Sequence, residues 1–61
     1  MTINQFLKNY TYNYKSLKLI NVGTEKVKEF SIPYSLTDYL KSKKVKAFNQ
    51  SFLDKSLIIY Y

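Results

Sequence analysis

The stretch S-L-I-I-Y-Y, residues 56–61, is the strongest strand signal in the chain. Leucine, isoleucine and tyrosine follow one another without a charged residue, which is typical of a buried strand. Because Leu57–Tyr61 is apolar on both faces, two places in a sheet suit it. It is either a central strand covered by its neighbours, or an edge strand that a partner or second subunit must pair with.

The segment before this strand, residues 44–54, is compatible with two structures. Val45, Phe48 and Phe52 fit the spacing of one helix face. The same residues also fit a strand that a turn at Asp54-Lys55 joins to the last strand. The spacing alone does not choose between them.

Two further strands, Leu17–Val22 and Val27–Ile32, flank Gly23, the only glycine. Gly23-Thr24 fits a two-residue type II′ turn. A four-residue loop over residues 23–26 gives a better register, because it collects the large apolar side chains on one face. That register pairs Leu17 with Ile32, Leu19 with Phe30, and Val22 with Val27.

Two short helices are predicted from capping residues and apolar spacing. Thr2 caps the first, whose apolar stripe is Ile3, Phe6, Leu7 and Tyr10. Pro33 ends the second strand, and Ser35 then caps the second helix with Asp38 at its third position. The buried stripe predicted for this helix is Leu36, Tyr39 and Leu40.

The predicted order α-β-β-α-β-β defines one α+β domain over residues 1–61, with an antiparallel sheet. A domain of this size buries only about 60% of the surface of its unfolded chain, so its stability is marginal. No cysteine is available for a disulfide or a zinc site. Formation of a homo-oligomer is one way to complete so small a core.

The residue types present exclude most catalytic chemistry. The chain has no histidine, cysteine or arginine, and its four acids are Glu25, Glu29, Asp38 and Asp54. Acid–base catalysis usually needs histidine or a carboxylate pair, and metal sites need clustered ligands. These acids are scattered, and a single glycine cannot form a phosphate-binding loop. We therefore expect a protein that is not an enzyme, with no cofactor and no bound metal.

The start of the chain and its longest apolar run bear on location. Residues Met1–Asn4 lack the basic and apolar regions of a signal peptide. The longest apolar run, Leu57–Tyr61, is far shorter than the roughly 20 residues that span a bilayer. We expect a cytoplasmic protein without a membrane partner.

The formal net charge of +6 favours polyanionic partners: nucleic acid or an acidic protein. Part of this charge has a second explanation. Phe, Ile, Asn, Lys and Tyr are encoded by AT-rich codons, so a biased genome would also produce a chain rich in Lys and Tyr.

Surplus tyrosines and lysines are the candidate partner-binding residues. Tyrosine suits the core of an interface because it is large, rigid and amphipathic. Seven tyrosines exceed what a core of this size can bury. Lysines nearby would steer an acidic partner, or contact phosphates if the partner is nucleic acid. The residues selected are Tyr10, Tyr12, Tyr14, Lys41, Lys43, Lys44 and Lys46.

Several segments together carry a family resemblance. The first helix leads to a hairpin at Gly-Thr-Glu (23–25), followed by IPYSL (32–36), VKAF (45–48) and DKSLIIY (54–60). This pattern resembles small, mostly uncharacterised proteins encoded by phages and mobile elements of low-GC Gram-positive bacteria. The resemblance implies a strand at Val45–Phe48.

Small proteins of such elements often bind host machinery stoichiometrically, and anti-CRISPR proteins are among them. The resemblance therefore implies a protein that inhibits or modulates a host protein or nucleoprotein complex. The alternative is a nucleic-acid-binding protein with weak sequence preference, since arginine, the usual reader of guanine, is absent.

Overall fold

Six short elements follow one another in the order that the sequence predicts. The computed structural model describes residues 1–61. Its elements are α1 (Ile3–Asn9), β1 (Ser16–Ile20), β2 (Val27–Ser31), α2 (Asp38–Lys41), β3 (Ala47–Ser51) and β4 (Ser56–Tyr60). Two helices and a four-stranded sheet confirm the α+β class.

The sheet is mixed, with the strand order β2-β1-β4-β3. The two hairpins, β1–β2 and β3–β4, are antiparallel, whereas β1 and β4 are parallel. The prediction of a wholly antiparallel sheet was therefore wrong for the central pair. The chain passes through β2, α2 and β3 before it returns to β1, and so long a connection permits a parallel pair.

The two central strands share one buried face. Leu17 lies beside Leu57, and Leu19 lies beside Ile59. All four side chains are fully buried. The helices and the segment before α2 cover them with Ile3, Leu36 and Leu40. Of the two places that the sequence allows for the last strand, β4 takes the central one, where an apolar run has neighbours on both sides.

The register of the first hairpin differs from the prediction by two residues. Leu17 pairs with Phe30, and Ile20 with Val27, which leaves residues 21–26 as the loop. The Asn21 side chain explains the early turn, because its Oδ1 accepts the N–H groups of Gly23 at 2.9 Å and Thr24 at 3.3 Å. The predicted pairings of Leu17 with Ile32, Leu19 with Phe30 and Val22 with Val27 are wrong. A shift of two residues keeps each side chain on its predicted face.

Gly23 does not supply the left-handed backbone of this loop. That conformation belongs to Glu25, with a φ of 61°, whose N–H donates to the carbonyl of Asn21 at 2.7 Å. The second left-handed residue is Lys55, with a φ of 56°, in the turn between β3 and β4. The two-residue turn and the four-residue loop predicted around Gly23 are therefore both wrong.

The first helix begins as predicted. Gln5 donates its N–H to Thr2 Oγ1 at 3.2 Å, and Thr2 donates its N–H to Gln5 Oε1 at 3.0 Å. This reciprocal capping box satisfies two backbone donors that the helix start leaves free. Ile3 is then buried, and Ile3 also donates its N–H to the Lys43 carbonyl at 2.8 Å. The N-terminal end is thus fixed to the segment after α2.

The second helix is a single turn, and three predictions about it were wrong. Thr37 is its cap, because the N–H of Leu40 donates to Thr37 Oγ1 at 3.3 Å. Ser35 therefore lies before the helix, and Asp38 is its first residue and not its third. The helix has too few residues for three inward positions. Tyr39 consequently points outward and is 63% exposed.

The segment that the sequence left ambiguous contains the edge strand β3. Its residues Ala47–Ser51 pair with β4, and the predicted turn at Asp54-Lys55 lies between the two strands. Asp54 Oδ1 accepts the N–H of Ser56 at 3.2 Å and the Ser56 hydroxyl at 2.7 Å. The aspartate therefore fixes the point at which β4 begins.

Neither helix has the length and the apolar character needed to cross a membrane.

The turn aspartate predicts a pH dependence of stability. Hydrogen bonds from Ser56, and then from Ser51, lower the pKa of Asp54. Because the pKa of Asp54 is lower in the folded than in the unfolded protein, its carboxylate stabilises the fold at pH values above the unfolded-state pKa. This contribution is lost as the pH falls through the folded-state pKa. We expect Asp54→Ala to unfold at a lower urea concentration than the wild type at neutral pH.

The difference in urea midpoint should shrink as the solution is acidified below the ordinary range of a carboxyl group. Glu29→Ala, at an exposed residue of β2, is the matched control and should show little difference from the wild type at either pH. A midpoint difference for Asp54→Ala that is unchanged at acid pH would contradict this role of the carboxylate.

Candidate aromatic binding site

Five aromatic rings meet at one end of the molecule, and Tyr10 lies at their centre. The ring centroid of Tyr10 is 5.5 Å from Phe6, 5.8 Å from Tyr12 and 5.7 Å from Tyr14. Phe48 lies 4.8 Å from Phe6 and 6.4 Å from Tyr10. These distances are within the range of favourable aromatic contact.

Three separate parts of the chain bring these rings together. Phe6 projects from α1, and Tyr10 follows directly where the helix ends. Residues 10–15 then run without regular structure to β1 and carry Tyr12 and Tyr14. Gln50 of β3 donates its side-chain N–H to the carbonyl of Asn13 at 3.3 Å, which ties the segment to the sheet.

Three of these rings, those of Tyr10, Tyr12 and Phe48, border an open groove of about 450 Å³ together with Phe52, and we call it the aromatic groove. Three of its rings are largely exposed: Tyr12 at 66%, Phe48 at 53% and Phe52 at 75%. Its walls are Asn9, Tyr10, Thr11 and Tyr12 on one side and Phe48, Asn49, Gln50 and Phe52 on the other. Exposed aromatic side chains grouped in this way, with polar amides among them, are typical of a binding surface.

The lysines selected from the sequence do not line this groove. Lys43, Lys44 and Lys46 border a separate depression of about 280 Å³, which we call the basic depression. Lys43 Nζ also lies 4.4 Å above the ring of Tyr39, a cation–π contact. Lys41 lies apart from these three, beside Tyr14 and Tyr34 in a third depression.

Tyr14 belongs to the packing beneath the site more than to its surface. Its hydroxyl lies 2.6 Å from the hydroxyl of Tyr34, so the two share a hydrogen bond. Burial, and then the bond to Tyr14, raise the pKa of Tyr34 above its ordinary value. Burial also raises the pKa of Tyr10. Tyr10 and Tyr34 are therefore neutral at physiological pH, and they offer apolar faces and hydroxyl groups.

The structure brings together the three tyrosines that the sequence selects, but separates them from most of the selected lysines. It adds residues that the sequence analysis did not select: Phe6, Phe48, Asn49, Gln50 and Phe52. From the sequence, Phe48 and Phe52 are predicted only as positions of a helix face or of a strand, and not as binding residues. In a strand, Phe48 faces the same side as Ile59, its partner in β4, and this brings it to Phe6.

In comparisons with known proteins, no family model, no curated protein and no solved structure matches this chain.

The hydroxyl pair predicts an unusual tyrosine titration. We expect Tyr34 to lose its proton at a higher pH than an exposed tyrosine, and Tyr14→Phe to lower its pKa partway, since burial remains. The pKa of Tyr34 is higher in the folded than in the unfolded protein, so neutral Tyr34 contributes to the free energy of unfolding. This contribution is fully present below the unfolded-state pKa and is lost as the pH rises toward the folded-state pKa.

NMR titration of protein labelled at the tyrosine Cζ carbons would measure these pKa values. Tyr39→Phe is the control, because Tyr39 is exposed and lies outside the hydroxyl pair. A Tyr34 pKa that Tyr14→Phe leaves unchanged would contradict a role for this hydrogen bond.

Proposed function

We propose that this chain is a non-enzymatic binding protein that attaches to a host protein through the aromatic groove and thereby inhibits or modulates a host complex. The observation that carries the proposal is the exposure of Tyr12, Phe48 and Phe52 around one groove. A chain with only seven buried apolar residues in its core leaves these large rings outside that core.

The physical support is the free energy that such rings release when a partner covers them. Burial of apolar surface contributes about 25 cal/mol per Å², and aromatic residues have the largest surfaces to bury. Tyr12 and Phe48 already contact neighbouring rings, so their side chains lose little entropy on binding. The amides of Asn9 and Gln50 border the groove and would fix the partner's orientation by hydrogen bonds.

The lysines support the proposal by the electrostatic steering expected from the sequence, but from a position outside the groove. Because Lys43, Lys44 and Lys46 line a separate depression, we assign them to long-range attraction of an acidic partner. Attraction of this kind raises the association rate and weakens with salt, whereas contacts in the groove determine the dissociation rate.

The resemblance to phage and mobile-element proteins suggests the setting. On this proposal the protein acts in the cytoplasm of a bacterial host, as an anti-defence factor of which anti-CRISPR proteins are one kind. Its target is then a protein or nucleoprotein complex of that host.

A second candidate function is weakly sequence-specific binding of nucleic acid. The observation that favours it is the basic depression, where three lysines lie together. Exposed rings such as Tyr12 would stack on unpaired bases, each worth roughly 1–3 kcal/mol. Affinity of this kind falls steeply with salt, because phosphate contacts release counterions.

Capture of partners from the lysate of a low-GC Gram-positive host, with and without nuclease, tests the proposal. We expect one defined protein to be retained after nuclease treatment and at raised salt. Double substitution Tyr12→Ser and Phe52→Ser should reduce its recovery about tenfold, which corresponds to about 1.4 kcal/mol.

Tyr39→Ser is the matched control, because Tyr39 is 63% exposed but lies outside the groove, and this variant should retain the partner. Recovery that disappears with nuclease or with moderate salt would favour nucleic acid. Equal recovery by the double variant would remove the groove as the binding site.

A further inference from the structure

One side of β3 has no neighbouring strand, and the hydrogen bonds of β4 show which backbone groups face outward there. Tyr61 donates its N–H to the carbonyl of Ile20, and Val22 donates its N–H to the carbonyl of Tyr61, both at 2.9 Å. Odd-numbered residues at the end of β4 therefore face β1. Because backbone direction alternates along a strand, Ile58 and Tyr60 face β3 instead.

The partners of these residues in β3 are Asn49 and Ala47. It follows that Phe48 and Gln50 direct their backbone N–H and C=O groups away from the sheet. The N–H of Gln50 donates to the side-chain Oδ1 of Asn49 at 2.9 Å. A side-chain oxygen thus occupies the place that the carbonyl of a fifth strand would take.

The open edge and the aromatic groove are one surface. Phe48, Asn49 and Gln50 border the groove, so the unpaired backbone of β3 forms one of its walls. The side chain of Phe48 lies on the helix side of the sheet, where its ring meets those of Phe6 and Tyr10. An extended segment laid along β3 would direct every second side chain toward these rings.

The other edge of the sheet is protected in ways that β3 is not. The edge strand β2 carries Lys28 and Glu29, and Pro33 follows it closely. Charges and proline are the usual devices that prevent edge strands from pairing with other chains. The sequence of β3, Ala-Phe-Asn-Gln-Ser, contains neither. The two edges therefore differ in how readily they would accept a further strand.

We infer that the partner protein binds by strand addition: an extended segment pairs with the open edge of β3 and places alternate apolar side chains in the aromatic groove. This inference rests on the proposed function, because it names how a protein partner occupies the same groove. Backbone hydrogen bonds to Phe48 and Gln50 supply affinity, and the rings supply the preference for apolar residues.

Charge determines what kind of segment this is. The chain has a net charge of +6, and Lys46 immediately precedes β3. A second copy of the chain would bring an equal positive charge to the edge, which opposes pairing of β3 with itself. A segment with acidic residues beside its apolar ones meets attraction instead. The occupant is therefore an acidic, extended segment of another protein.

A synthetic peptide tests the binding mode without knowledge of the natural partner. The probe is a blocked seven-residue peptide that alternates valine and threonine and carries glutamate at both ends. Its control has the same sequence with an N-methyl group on every peptide nitrogen, which removes the N–H donors of both edges. NMR titration of the labelled wild-type protein would measure binding and amide hydrogen exchange together.

We expect the unmodified peptide to shift the resonances of β3 and to slow amide exchange of Phe48 and Gln50 about tenfold. The amides of Val27 and Glu29, on the opposite edge strand, should be unchanged. The methylated peptide should not bind. Equal binding of both peptides, no binding of the unmodified one, or binding without slower exchange at Phe48 and Gln50 would each overturn the inference.

Two variants extend the test to the protein. Gln50→Pro removes the outward N–H but no hydrogen bond to β4. Gln50→Val is its control, because it loses the same amide side chain and keeps the N–H. We expect Gln50→Pro to bind the peptide at least fivefold more weakly than Gln50→Val. Asn49→Ala removes the oxygen that competes for this N–H and should strengthen binding. Unchanged affinity in both variants would overturn strand addition, and the capture experiment with Tyr12 and Phe52 variants would still decide the proposed function separately.

Discussion

The parallel pairing of β1 with β4 is the constraint on which the rest of the structure depends. It places Leu17 beside Leu57 and Leu19 beside Ile59, and these four fully buried side chains are the centre of the core. Both helices are too short to be stable alone in water. They are helical because burial of Ile3 and Leu40 against this apolar surface stabilises them. In so small a domain, no second core exists to compensate for its loss.

The same pairing determines where the binding surface lies. With β4 in the centre, β3 becomes an edge strand, and its backbone on one side remains unpaired. Helix α1 crosses the buried face and brings Phe6 to Phe48, while the irregular segment after it adds Tyr10 and Tyr12. The result is a groove in which exposed rings lie beside an open strand edge. The features proposed for partner binding therefore follow from the topology of the core.

The sequence predicted the parts of the fold that depend on local chemistry. The capping box at Thr2, the alternation of Leu17 and Leu19, and the apolar run at the end of the chain each specify one element. What it could not predict depends on contacts between distant residues. Whether β1 and β4 are parallel depends on the path of the intervening chain, and no local pattern records that path.

Smaller errors have the same origin or come from a competing side chain. Asn21 begins the hairpin turn early with its own hydrogen bonds, so the glycine signal at Gly23 was misleading. The three tyrosines of the site were selected for their surplus, and the structure brings them together. Phe48 joined them only through its position in the sheet, and Lys43, Lys44 and Lys46 border a separate depression.

The measurement that tests this account most directly is the set of nuclear Overhauser contacts between β1 and β4 in isotope-labelled protein. The account predicts contacts of a parallel pair, with Leu17 next to Leu57 and the amide of Tyr61 close to Ile20. It also predicts contacts of β4 with β3 on its other side. Strong contacts between α-protons across β1 and β4, which mark an antiparallel pair, would contradict it, and so would a β4 with only one neighbouring strand.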